Sequence, residues 1–423
     1  MGITWNMSSL QCRARNSGQR DFGLAVGTGP DGLIFARNLM PIPWHAQTPM
    51  TSPRVLQLST VHPWDDNRIC RKICTSLAEA GYDVTLMARE PNSSDSEPPA
   101  GVDLVVLPSV KGRMSRGLSS LGIWRRVRRL RPDIVHFHDP ELIPAALILK
   151  LFGYRVIYDV HEHVPDDIME KEWIPSFLRR VVSVITDVIE RTASSRFDAI
   201  FAVTRHIARR FPERRTRLLR NFPRLVEIGD ETESPGSASR EDARLVFVGG
   251  ITPQRGIRQM VTAVGLCDRT NPVLDILGEC VDEPLSAWLA DQASSGKIIL
   301  HGWVEKGAAS QWMASSRAGL LPYLPSKAHI EALPTKLFEY MGAGIPVIAS
   351  DFPRWREIID AHQCGIVADP TDPSAIAAAI DWIYDNPAEA KAMGARGRQA
   401  IESELNWESE AETMKSVYST LLG

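Results

Sequence analysis

The sequence predicts an α/β protein of two doubly wound domains facing each other across a cleft. Three observations carry this. From Arg54 onward, short runs rich in Val, Ile and Leu alternate with amphipathic stretches, the pattern of repeated β-α-β units and a parallel sheet covered on both faces. The alternation stops over residues 222–243, FPRLVEIGDETESPGSASREDA, which lose the apolar pattern and gain Ser, Pro and acids, as linkers do. It restarts at RLVFVGG (244–250), and 423 residues suit two such units.

In chain order, residues 1–50 show no period and are expected to be a leader, disordered or outside the native start, with Met50 as an alternative first residue. Their Gly27-Thr-Gly-Pro-Asp-Gly32 is a literal G-x-G-x-x-G, but no clear strand precedes it, and Pro41 and Pro43 break the segment after it. The first domain, 51–225, offers strands at 54–61, 82–88, 103–108, 133–138, 155–161 and 198–203. The amphipathic stretch 176–197 reads as a helix of its core. A linker is placed at 226–243. The second domain, 244–405, offers strands at 244–250, 273–278, 298–303, 318–323, 346–350 and 365–369. Residues 406–423 form a terminal helix with an apolar stripe. Ligands of such sheets bind beyond the carboxyl ends of the strands. That rule singles out His62, His138, Asp139 and His161.

The most informative stretch is EALPTKLFEYMGAGIPVIAS (331–350). Leu333-Pro334-Thr335 reads as a helix start. Gly342-Ala343-Gly344 supplies a left-handed stop, and Pro346–Ser350 a buried strand. A helix start presents free N–H groups and partial positive charge, which suits a phosphate. Glu331 falls in the loop before it and Glu339 about one turn beyond, so paired acids flank an anion site. The same pattern also describes an amphipathic helix with two solvated glutamates.

Glu-x7-Glu, the apolar helix, G-x-G and P-V-I-A-S together resemble the donor-site motif of retaining GT-B glycosyltransferases of family four, the group 1 glycosyl transferases, including those of bacterial polysaccharide synthesis. The resemblance runs from about Arg54 to the C-terminus. It implies the GT-B arrangement, a nucleotide diphosphate sugar as co-substrate, no metal and no other cofactor. It implies that Glu331 faces the transferring sugar and Glu339 binds the ribose. The amides at 333–335, with Lys336 and Arg255, would bind the diphosphate. In VGGITPQRGI (248–257) the family commonly carries a basic residue where this chain has Gly250, so one expected cation is missing. YDVHEHVP resembles the segment in which a histidine, here His161, lines the acceptor side of the cleft. A strand-end histidine is also often only a structural hydrogen-bonder. For His138 and Asp139 of HFHDPEL the resemblance implies a role beside the acceptor or at the domain interface, although Asp139 before Pro140 also suits a plain helix cap. By the same resemblance the terminal helix crosses back onto the first domain, with Trp407 as anchor.

Formal charge is +6 over residues 51–220 and −11 over 221–423. A basic first half suggests an anionic partner on that side. The basic stretch 111–132, with Trp124, Val127 and Leu130 at three-residue spacing, suits a helix lying on an anionic membrane surface, or a solvated helix packed by its apolar stripe. No run of eighteen apolar residues exists. A cytoplasmic enzyme, peripheral at the inner face of the membrane, is the expected setting, acting on a glycan or lipid-linked acceptor. The six cysteines make no C-x-x-C pair, no Asp-x-Asp offers a metal-diphosphate clamp, and no P-loop is present. Nucleic acid is not expected as a partner. Two rivals remain at this stage: a nucleotide-sugar epimerase of the same fold, and a non-catalytic nucleotide-sugar-binding protein.

Overall fold

The computed structural model describes residues 24–28, 34–38, 52–91, 97–108, 113–171, 173–228, 244–267 and 271–423. They form two sheets. The first contains β1 (Leu24–Thr28), β2 (Ile34–Asn38), β3 (Arg54–Pro63), β4 (Asp83–Arg89), β5 (Val102–Leu107), β6 (Ile134–Phe137), β7 (Arg155–Val160), β8 (Ala199–Ala202) and β9 (Thr216–Leu218). Their order is β1-β2-β5-β4-β3-β6-β7-β8-β9, parallel from β5 onward. The second contains β10 (Leu245–Val248), β11 (Leu274–Leu277), β12 (Ile298–Gly302), β13 (Ala318–Leu321), β14 (Val347–Ser350) and β15 (Gly365–Ala368), in the order β12-β11-β10-β13-β14-β15. Both sheets reverse direction of growth next to their first long strand, between β3 and β6 and between β10 and β13. These are the switch points where doubly wound sheets bind ligands.

Strands β3 to β8 feed two cores, because adjacent residues point to opposite faces. Leu56, Val135 and Val156 pack with Val127 and Leu149 on one face. Val55, Ile134 and Ile157 pack with Ile73 and Leu77 on the other, where the terminal helix Trp407–Leu422 adds Trp407, Met414 and Tyr418. Trp407 is fully buried, donates from Nε1 to Ser76 Oγ at 2.8 Å, and its own N–H reaches Pro223 O at 2.8 Å. The end of the chain therefore completes the core of the first domain.

Three expectations change. Part of the leader forms strands: β1 and β2 pair antiparallel, and Phe35–Ala36 extend the edge of β5. Gly27 of the glycine run lies in β1, and its residues 29–32 lie outside the described residues. Next, in the helix Arg113–Leu130, Ile123 and Val127 are core residues, and Trp124 stacks on Phe152 at 5.6 Å between centroids. The stripe assigned to lipid is filled by protein; the side chains of residues 109–121 lie outside the described residues. Finally, the helix Ser176–Ser194 turns its polar face inward and its apolar face to solvent, the reverse of a core helix.

Candidate active site

A cavity of ≈460 Å³ opens between the domains. The first domain contributes Asp66, Arg68, His161, His163, Asp166 and His206, and the second contributes Glu331, Leu333 and Phe338, among others.

The first-domain wall is organised around Asp159, an acid inside the otherwise apolar strand β7. Arg68 grips it with two hydrogen bonds, Nε to Oδ2 at 3.0 Å and Nη2 to Oδ1 at 2.8 Å, a geometry suited to guanidinium. Burial alone would raise the Asp159 pKa. The Arg68 charge and the neighbouring His161 outweigh it and hold the carboxyl well below the usual range. His161, one residue past β7, places Nε2 2.8 Å from Asp159 Oδ2 and 3.2 Å from His138 Nδ1. His138 Nε2 lies 2.9 Å from Gln57 Oε1, and Gln57 Nε2 donates to Tyr418 Oη at 2.8 Å. That amide orientation, assigned from its partners, has His138 donate from Nε2 and accept on Nδ1. Burial keeps the His138 pKa below its ordinary value, consistent with a neutral ring. His161 then donates from Nε2 toward Asp159 Oδ2 and His138 Nδ1. A tyrosine of the terminal helix thus helps set the tautomer of a cavity residue through two intermediates.

His138 and Asp139 do not line the cavity. Asp139 is buried, and one of its oxygens accepts from Thr60 N at 2.6 Å, Val61 N at 3.1 Å and Ser59 Oγ at 2.9 Å. It caps no helix with its side chain; it ties down the irregular last residues of β3 instead, where pairing with β4 shifts register between Leu58 and Pro63. His62 is in that segment, its ring 5.4 Å from that of His161, with Asp66 and Asp139 each 3.6 Å away.

On the second-domain wall, Glu331 is not in a loop. It is the last residue of a short helix, Lys327–Glu331, capped by Ser326. Its carboxylate accepts from Arg354 Nε at 2.7 Å and lies 3.7 Å from His206 Nδ1 of the first domain. The next helix runs Thr335–Gly342, with Pro334 at its N-cap rather than inside it. Pro334 has no N–H, so the donors here belong to Leu333, Thr335 and Lys336. Tyr340, buried on this helix, accepts from Val248 N at 3.0 Å and fixes the helix against the end of β10. Glu339 pairs with Lys336 one turn back. Gly344 takes φ +71°, the left-handed stop.

Arg255 accounts for Gly250. Gly256 comes next at φ +70°, with Pro322 O only 1.9 Å from where a Cβ would stand, so the turn 253–256 lies flat on the end of β13. The Arg255 guanidinium folds back over the glycines, donating to Gly250 O at 3.0 Å. A Cβ on Gly249 would fall 2.7 Å from Arg255 Nη1. The space beside 249–250 is filled by Arg255.

The cavity therefore brings together His161, Glu331 and Leu333 of the residues singled out in the sequence. Pro334, Thr335, Lys336, Glu339, Arg255 and Gly250 lie outside its lining. Sequence reasoning missed Arg68, Asp159 and His206. The acid inside the apolar run RVIYDVH was the one local signal. Among the described residues, two clusters have donor atoms close enough to share a cation: His136, His138 and Asp159; and His163, Asp166 and His206. In the first, Arg68 already supplies the positive charge.

A cavity between two doubly wound domains, walled by a histidine from one and a glutamate from the other, is the arrangement of a GT-B protein. Solved structures of that fold agree: sucrose-phosphate synthase from Thermosynechococcus elongatus (TM-score 0.69, 18% identity, 88% of this chain and 99% of that one), and WaaG, a glycosyltransferase involved in lipopolysaccharide biosynthesis (TM-score 0.64, 14% identity, 86% and 99%). Two family models match, Glycosyl transferase 4-like domain over residues 67–221 and Glycosyl transferases group 1 over 230–400. Curated relatives include glycogen synthase of Mycobacterium tuberculosis, 24% identical over 82% of this chain and 88% of the relative. Another is the D-rhamnosyltransferase WbpZ of Pseudomonas aeruginosa, 23% identical over 76% and 83%. The chain belongs to the group 1 glycosyl transferases and is a glycosyltransferase.

Proposed function

We propose that the protein moves a sugar from a nucleotide diphosphate sugar to a hydroxyl of a glycan or lipid-linked acceptor, with retention of configuration and without a metal. The observation that carries this is the pairing of His161 and Glu331 on opposite walls of one cavity, next to the start of the helix Thr335–Gly342. A solved neighbour, HepE of Anabaena, is described in complex with UDP (TM-score 0.65, 10% identity, 88% of this chain and 100% of that one), which supports the donor class.

In this reading the diphosphate rests on the N–H groups of Leu333, Thr335 and Lys336, with Arg255 and Lys336 as cations. Glu339 binds the ribose and Glu331 the transferring sugar. The acceptor hydroxyl enters past His161. Its oxygen bonds to the anomeric carbon on the face from which the diphosphate departs. The breaking C–O bond leaves its electron pair on the diphosphate, and a diphosphate oxygen takes the acceptor proton. Positioning and stabilisation of the departing charge supply the rate.

Incubation with labelled UDP- and GDP-sugars, with and without a lipid-linked glycan and with and without EDTA, tests this. Acceptor-dependent release of nucleotide diphosphate that survives EDTA is expected. An isomerised donor, or binding without turnover, would replace the reading with an epimerase or a sugar-nucleotide sensor. Turnover abolished by EDTA would overturn metal independence.

A further inference from the structure

The helix Ser176–Ser194 is built inside out. Its inward face is polar: Ser183 Oγ donates to Pro165 O at 2.8 Å, and Glu190 accepts from Tyr158 Oη at 2.7 Å and Arg210 Nη2 at 2.5 Å. Asp187 accepts from Arg210 Nε at 2.9 Å. Its outward face carries Phe177, Val181, Val184, Ile185, Val188 and Ile189, each 53–77% exposed. Single exposed apolar residues are ordinary, but a continuous stripe from Phe177 to Ile189 is not. Trp173, 57% exposed, stands just before the helix.

The charges around the stripe indicate what covers it. Glu190 faces inward and Asp187 lies at the margin; Arg210 holds both, and Asp187 also accepts from Arg191 Nη1 at 3.5 Å. Arg180 and Arg191 lie along one margin of the stripe by helical spacing, both exposed. The helix Ile143–Leu151 packs beside this one and ends in exposed Leu151 and Phe152, with the Arg128 guanidinium 4.1 Å over the Phe152 ring. An apolar band edged by arginines and by a tryptophan is the layout of a helix lying in a lipid interface. The charge split between the halves has the same sense, +6 over residues 51–220 against −11 over 221–423. An anionic surface attracts the first domain and repels the second.

We propose that the outward face of the helix Ser176–Ser194 is a docking surface for an anionic lipid bilayer, inserting Val181, Val184, Ile185 and Val188 to the level of the acyl chains while Arg180 and Arg191 meet headgroup phosphates. This moves the expected membrane contact from the basic helix Arg113–Leu130 to its apolar neighbour. It goes beyond the reading of the cleft and stands or falls separately.

The test is co-sedimentation of the full chain with phosphatidylcholine vesicles and with vesicles containing phosphatidylglycerol, alongside light scattering for oligomeric state. Binding to the anionic vesicles that weakens in high salt is expected. The double variant V184E/V188E should lose it at least tenfold, and Arg180→Glu should weaken it at least about fivefold. Both changes are at exposed positions, so circular dichroism and nucleotide binding should be those of the wild type. Three results would overturn the proposal: no association of the wild type with anionic vesicles, equal association of V184E/V188E, or a dimer that V184E/V188E dissolves. The last would assign the stripe to a second copy of the chain.

Discussion

The two walls of the cleft are built on opposite principles. On the first-domain side the decisive groups are sealed: the side chains of Asp159 and His138 are 0% exposed, and each is held by partners from distant parts of the chain. On the second-domain side Glu331 is 38% and Glu339 24% exposed, and their hydrogen-bond partners are Arg354 and Lys336 on the same domain. Folding fixes the first wall before any ligand arrives. The second holds its acids and cations in half-exposed pairs, which a sugar diphosphate can enter at lower cost than a sealed one. A transferase that must grip one substrate and align a second has reason to keep one wall preset and let the donor order the other.

The sharpest way to break this contrast is Asp159→Ala. It leaves Arg68 buried and uncompensated, and His161 without its orienting acceptor. Urea unfolding should show a loss of about 3–5 kcal/mol, together with loss of turnover. A loss of under about 1 kcal/mol would mean that the first wall is no more fixed than a surface ion pair.

Glu331→Gln is the matching experiment on the other wall. Turnover should fall on the order of 10²–10³-fold, the scale of removing one group that stabilises a transition state. The unfolding midpoint should barely move, because the Arg354 pair it weakens is half exposed. Unchanged turnover would remove Glu331 from the reacting sugar, and a large stability loss would show that this wall too is structural.

These two variants also mark what the sequence does and does not disclose. The strands were legible because parallel strands buried on both faces read as apolar runs. The start of the helix at 335 was legible from Pro334. The partners of Asp159 were not, because Arg68, His161 and His138 meet it through packing of separate β-α units, which no local period encodes. The helices Arg113–Leu130 and Ser176–Ser194 show the same limit. Each has an apolar stripe in its sequence, but periodicity identifies the stripe and not the side it faces. That was decided by Tyr158 and Arg210, which give Glu190 a buried partner and turn the second helix over. Gly250, a gap in the motif, became interpretable only when Arg255 was found folded over it.

Gly249→Ala sharpens the donor side by a smaller step. Its Cβ would fall 2.7 Å from Arg255 Nη1, at a backbone φ of +145° that favours glycine, so the guanidinium must leave its seat. Binding of UDP or GDP by calorimetry should weaken by about tenfold, worth roughly 1.4 kcal/mol. The first domain should be untouched. Unaltered affinity would show that Arg255 does not bind the diphosphate from its present position.

The smallest expected effect is a pH dependence at the rim of the preset wall. The Asp66 carboxylate, 3.6 Å away, ahead of the opposing effect of burial, raises the His62 pKa above its ordinary 6.5. Burial would raise Asp66, but the nearby His62 ring and the Ile69 N–H outweigh it and bring the carboxyl down to about 2. Linkage sets the signs. The His62 contribution is complete below pH 6.5 and is lost as pH rises through the higher folded value. The Asp66 contribution is complete above its ordinary 3.8 and is lost as pH falls toward about 2. Comparing His62→Gln with the wild type, the stability difference should be largest between about pH 4 and 6.5 and should shrink on either side. Asp66 also accepts from Arg68 N at 2.9 Å and Ile69 N at 2.8 Å, capping the segment that carries Arg68. A difference flat across pH would mean that His62 contributes only its shape, and that the first wall owes its rigidity to Asp159 and Arg68 without help from the rim.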